Sequence, residues 1–164
     1  DVCSSDLCGR AKLRKGRDVP EYDWWRWRSA PVPSLTMITI YTDACKKDRH
    51  IGLGWCIERN KEVLVTDHEY LRGSYTSMEA ECMALIRAMR SAMEYEDEFI
   101  TFYTDCLPLV DHIDDGNPIS NGQYVDTVER YRERLPDHVL FWISRDHNET
   151  ADREAHVAVD EGMA

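Results

Sequence analysis

Two six-residue stretches carry the most informative spacing in this chain. Ile38–Asp43 reads ITIYTD, and Ile100–Asp105 reads ITFYTD. Each is an apolar strand pattern that ends in an aspartate. A carboxylate at the C-terminal end of a strand leaves the core where a sheet opens to solvent, the edge at which α/β sheets bind ligands. If the two strands are parallel neighbours, Asp43 and Asp105 lie side by side. Adjacent carboxylates repel, and each raises the pKa of the other unless a positive charge sits between them. A divalent cation satisfies both, and all-oxygen ligation favours Mg²⁺ or Mn²⁺ over zinc. The residues alone leave a second reading open, in which two strand-end aspartates cap the turns that follow them.

Further acids stand near helical patterns. Glu79 and Glu81 flank opposite edges of the apolar stripe Met78, Cys82, Leu85 and Met89, so periodicity does not choose between them. Asp152 falls one turn inside a helix that Asn148 can cap, where an acid also simply favours the helix dipole. His147 precedes that helix. Cys45 and Cys106 lie within two residues of the aspartates, but a soft thiolate is a poor Mg²⁺ ligand and both read as packing. The six cysteines show no CxxC spacing and read as reduced residues of a cytoplasmic protein.

The elements that must position these residues follow from hydrophobic period and turn chemistry. Met37–Cys45 reads as a strand, with Ile38 and Ile40 on one face and Tyr41 and Asp43 on the other. Ile51–Glu58 is a second strand, where Gly52 and Gly54 mark a close approach or a bulge. Glu62–Leu71 is a third, joined to the second by the turn at residues 59–61. A long helix is predicted from Thr76 to Tyr95, then a strand at Phe99–Thr104. A short helix at Leu107–Ile113, a loop at 114–122 and a charged helix at Gln123–Arg134 come next. Val139–Ser144 is the fifth strand, and Asn148 opens the last helix. This order predicts an α/β fold: a mixed five-stranded sheet with helices on both faces.

At this point the residues resemble a known family. GSYTSMEAECMAL, at 73–85, resembles the segment that opens the first helix of ribonuclease H domains, and the glutamate of that motif falls on Glu81. TDC at 104–106 resembles the aspartate motif of the fourth strand. HNETADREA at 147–155 resembles the final Asn-x-x-Ala-Asp-x-x-Ala element and places a last carboxylate at Asp152. The resemblance spans essentially all of 37–160 and is closest to archaeal and reverse-transcriptase-like members. It implies a ribonuclease H-like fold and a metal-dependent endonuclease that hydrolyses the RNA strand of RNA–DNA hybrids. It implies two Mg²⁺ or Mn²⁺ ions, about 4 Å apart, held by Asp43, Glu81, Asp105 and Asp152. By the same resemblance His147 would help protons or product leave. Thr76, Ser77 and Asn148 would touch the substrate. Two departures weaken hybrid specificity: the paired asparagines of the family stand here as Ser77 and Met78, and a glutamine after the fourth-strand aspartate as Leu107. A nuclease for DNA junctions or structured RNA, and a non-catalytic hybrid-binding domain, are the alternatives.

Charge is distributed unevenly. The formal net charge is −11, yet residues 1–36 carry five acids and seven bases, leaving 37–164 at −13. A nucleic-acid partner is a polyanion, so an acidic binder must rely on cations and a few arginines. Acid-rich, Lys-poor composition also resembles proteins of salt-loving organisms. There is no apolar run of ~18 residues and no leader pattern, which argues for a cytoplasmic protein, expected to be a monomer with no membrane contact. Residues 1–36 read differently from the rest. They are Arg-, Pro- and Trp-rich without period, and DVCSSDL at 1–7 matches the translation of a common sequencing adaptor. They are read as an unstructured or artefactual extension, with Met37 as the natural start and 37–164 as the domain. The alternatives are a basic arm in which Trp24, Trp25 and Trp27 interleave with Arg26 and Arg28, and half a zinc site at Cys3 and Cys8.

Overall fold

The structure, a computed structural model, describes residues 36–115 and 122–164. The readings of the extension as artefact, basic arm or zinc module lie outside the described residues, as does most of the 114–122 loop. Eleven residues of alternating burial form β1 (Met37–Lys47), followed by β2 (His50–Arg59) and β3 (Glu62–Arg72). Then come α1 (Ser77–Ala92), β4 (Phe99–Thr104), α2 (Leu107–Asp115), α3 (Gly122–Arg132), β5 (His138–Trp142) and α4 (Glu149–Met163). The strands form one sheet in the order β3-β2-β1-β4-β5. Three antiparallel strands are thus extended by two parallel ones, because β1 pairs in parallel with β4 and β4 with β5. The mixed five-stranded sheet predicted from the element order is the one observed.

Several boundaries differ from the sequence expectation. The long helix ends at Ala92 and tightens into a 3-10 turn at Met93–Tyr95. Strand β5 stops at Trp142, because a second 3-10 turn at Arg145–His147 begins the path into α4. Asn60 and Lys61 both take positive φ (52° and 70°), the two-residue turn whose twist matches a β-hairpin. The bulge lies at Ile57/Glu58 and not at the glycines.

Gly52 and Gly54 serve close approach instead. A Cβ on Gly52 would fall 1.8 Å from the Ala155 carbonyl oxygen, and one on Gly54 2.3 Å from that of Ala151. Helix α4 therefore lies on the β2 backbone on this face. The alternate residues Ile51, Leu53, Trp55 and Ile57 point the other way, where α1 packs on β1 and β2 and α3 on α1. Ile38, Ile40, Ile100 and Phe102 complete that core, all fully buried. Each such side chain contributes roughly 1.5–3 kcal/mol of transfer free energy. Helices thus cover both faces. Beyond α4, a row of rings crosses β1, β4 and β5: Tyr41 and Tyr103 stack at 5.4 Å, and Phe141, half exposed, follows at 6.0 Å. No helix among the described residues is long and apolar enough to cross a membrane.

Candidate metal centre

The twin hexapeptides pair with each other. Strands β1 and β4 run in parallel with Ile38 against Ile100 and Thr42 against Thr104. The next residue of each is the aspartate, so Asp43 and Asp105 stand at the same height. Asp105 follows the last residue of β4, but β1 runs on to Lys47 in its pairing with β2, so Asp43 lies within its strand and does not end it as the sequence pattern suggested. Glu81, in the first turns of α1, completes the group. Oxygen atoms of Asp43, Glu81 and Asp105 lie within 4.8 Å of one another.

Geometry decides between Glu79 and Glu81. The Thr76 hydroxyl accepts from the Glu79 N–H at 3.1 Å, and the Glu79 carboxylate accepts from the Thr76 N–H at 2.7 Å. This reciprocal capping box satisfies the start of α1 and commits Glu79 to it. Glu81 faces the aspartates. Thr76 is accordingly the N-cap of α1, and Ser77, its first residue, is exposed.

Helix α4 brings Asp152 to the same place. Gly54 lies opposite Asp43 across β1–β2, and Ala151 packs on Gly54, so the following residue reaches the Asp43 side chain. Asp152 differs from the other three in having a basic partner. The Arg145 Nη2 donates to its Oδ1 at 2.7 Å, and His156 Nδ1 lies 3.6 Å from its Oδ2. Asn148 is 1 % exposed. Its side chain makes no capping bond to α4, contrary to expectation; its Nδ2 instead donates to the Thr42 carbonyl at 2.8 Å and ties the start of α4 to β1. His147 is exposed, with its Nδ1 2.7 Å from the Ser144 hydroxyl.

The electrostatics follow from burial and crowding. Burial first, then the charge of Asp105, pushes Asp43 up to about 7. Burial likewise raises Glu81 well above the usual carboxylate range, with Asp43 and Asp105 adding to it. Asp152 moves the other way: burial works against its charge, but Arg145 and a hydrogen bond with Asp43 prevail and hold it low. One oxygen each of Asp43 and Glu81 is buried without a hydrogen-bond partner among the described residues. Unpartnered buried carboxylate oxygens are costly, and a hard divalent cation is the partner that this donor set fits. Cys106 is pushed up to about 12 by burial and then by Glu81, and its Sγ packs on Met78 at 3.8 Å, so it stays a thiol.

Two features escaped the sequence reading. Arg145 carries no periodic signal, and its only hint is being a base within a loop of strand-end and helix-start residues. Trp142, half exposed, donates from Nε1 to the Asp105 carbonyl at 3.1 Å and steadies that turn.

The model of a sequence family described as reverse transcriptase-like matches residues 41–158. No curated protein matches the chain. Among solved structures, ribonuclease H1 from the halophilic archaeon Halobacterium salinarum is similar at TM-score 0.68 and 20% identity, covering 76% of this chain and 98% of that one. LC11 ribonuclease H1, isolated from compost and solved with an RNA/DNA hybrid, is similar at 0.71 and 21%, covering 77% and 99%. The N-terminal ribonuclease H domain of rv2228c from Mycobacterium tuberculosis gives 0.69 and 18%, covering 78% and 96%.

Proposed function

Since the chain belongs to the reverse transcriptase-like family and has the ribonuclease H fold, we propose that it is a metal-dependent endonuclease that cuts the RNA strand of RNA–DNA hybrids. The observation that carries this reading is the convergence of Asp43, Glu81 and Asp105 where β4 ends beside β1, with one unpartnered buried oxygen each on Asp43 and Glu81. Asp152 stands beside them as the fourth ligand. A divalent ion bound there would generate a hydroxide at neutral pH and offset charge on the phosphate. The chain itself supplies the rest. Thr42 and Thr104, both buried, anchor the two aspartates on a rigid pair of strands. Asn148 fixes the approach of α4, and Trp142 holds the Asp105 turn. His147, exposed on the turn that leads into α4 and bonded to the Ser144 hydroxyl, would by the family resemblance help protons or product leave. A neighbour of similar fold holds a hybrid, which supports the same substrate class here.

The test is cleavage of a labelled hybrid with Mg²⁺ and with Mn²⁺ at low and molar salt. Wild type should cut the RNA strand, and Asp105→Asn should abolish cutting while leaving the circular dichroism spectrum unchanged. Inactivity of the wild type under every condition would refute the proposal. One observation favours a second reading. Met78 packs against the core and Leu107 is 46% exposed, so neither offers the amide expected to read a hybrid. A panel adding duplex RNA, duplex DNA and a four-way junction decides, since the strongest cutting should still fall on the hybrid if the first reading holds.

A further inference from the structure

Asp152 is held differently from its three neighbours. Asp43, Glu81 and Asp105 turn oxygens toward one another, whereas Asp152 accepts from Arg145 at 2.7 Å and has His156 on its other oxygen. Arg145 sits on the short 3-10 turn before α4, and its side chain is 69% exposed. Its anchor point is therefore at the protein surface and its guanidinium at the cluster. The charge reaches past Asp152. The hydrogen bond to Asp152 first, and then the charges of Asp152, Asp43 and Asp105, stabilise the guanidinium, and Arg145 in turn opposes the upward push on Glu81. A guanidinium is thus performing part of a metal ion's work of neutralisation.

We infer that Arg145 is a resident counter-cation of the acidic cluster, holding the Asp152 carboxylate until a divalent ion displaces it. The inference rests on reading the cluster as a metal centre. The Arg145 donor and a metal ion compete for the same lone pairs of Asp152, and a unit positive charge beside the site repels the incoming ion. An exposed ion pair is worth little by itself, so the exchange is easy in both directions. Arg145 acts through Asp152 and is a positioning residue.

Calorimetric titration of the full chain with Mn²⁺ alone, at fixed ionic strength, tests this. Removing a unit charge about 6 Å from a divalent ion in a water-like dielectric changes its affinity roughly tenfold. Arg145→Ala should therefore bind Mn²⁺ about tenfold more tightly, while Arg145→Lys, which keeps the charge, should stay near wild type. In an Asp152→Asn background the gain from Arg145→Ala should shrink. An unchanged or weaker affinity in Arg145→Ala overturns the inference, and so does a full gain that persists without the Asp152 carboxylate. Arg145→Lys behaving like Arg145→Ala also overturns it. A melt of each variant confirms folding, which an exposed position should not disturb. Absence of Mn²⁺ uptake by wild type and variants alike would remove the metal-centre reading and the inference together.

Discussion

Glu79 completes the cap of α1, while Glu81, two residues on, turns its carboxylate into the acidic cluster. The two should separate cleanly in mutation. Glu79→Ala is expected to cost about 0.5–1 kcal/mol of stability and leave Mn²⁺ binding intact, as read by urea unfolding and titration. Glu81→Gln should raise the melting temperature of the metal-free protein increasingly as pH rises, because it removes the cost of ionising a buried carboxyl, and should abolish metal binding. Asp43 gives a pH prediction. Its pKa, about 7 when folded against an ordinary value of 3.8, means the folded state holds a proton that the unfolded chain has lost. Stability from this group is complete below about pH 4 and is lost as pH rises toward 7. Metal-free melts should fall across that window, and Mg²⁺ should restore more at pH 8 than at pH 5. Much of this site was legible beforehand. The repeat in ITIYTD and ITFYTD announced two aspartates on like strands, and their equal register follows from equal patterning, although only Asp105 stands at a strand end while β1 runs on past Asp43. Glu81 was ambiguous by period alone, although Thr76-x-x-Glu79 carried the capping-box signal that removes its rival. Arg145 was not legible, since its partner is seven residues on and their meeting depends on how a 3-10 turn aims the side chain.

Helix α4 is the element whose placement the site tolerates least. Two glycines let it lie on β2, and the same contact sets the height of Asp152. Gly54→Ala would push backbone against backbone and should destabilise by about 1–3 kcal/mol or more, with weakened Mn²⁺ binding because Asp152 is carried away from Asp43. A second tie joins α4 to β3. His68 bridges Glu154 at 3.1 Å and Glu161 at 3.2 Å through its two ring nitrogens. Burial works against the charged ring, but the two hydrogen bonds outweigh it and raise its pKa. This tie is therefore present in full below about pH 6.5 and lost as pH rises through the folded pKa. His68→Gln should flatten the melting temperature above that point while leaving the Asp43-dependent decline below it; an unchanged profile would refute the tie. The pairing partners of single elements, such as β3 with α4, were not readable from periodicity, which reports a buried face but not what buries it.

At the scale of the molecule, residues 37–164 hold an excess of 13 acids. Self-repulsion in so charged a chain is relieved by screening. The melting temperature should accordingly rise as KCl increases toward ~1 M, while Mn²⁺ affinity declines as the same screening weakens attraction to the cluster. A melting temperature that falls with added KCl would contradict the first expectation. The architecture, unlike the boundaries, was legible as a whole, because strand and helix order constrains how a sheet can be wound.

The equal register of β1 and β4 has a kinetic consequence. Its pairings join residues 62 apart, and the four carboxylates come from β1, α1, the turn just after β4, and α4. Hairpin contacts among β1, β2 and β3 are local and cheap in loop entropy, whereas the carboxylates assemble only when the most distant contacts close. A cation that needs all of them finds no site in a partly folded chain. It should slow unfolding and leave the refolding rate unchanged, so that in a chevron plot added Mn²⁺ displaces one limb alone.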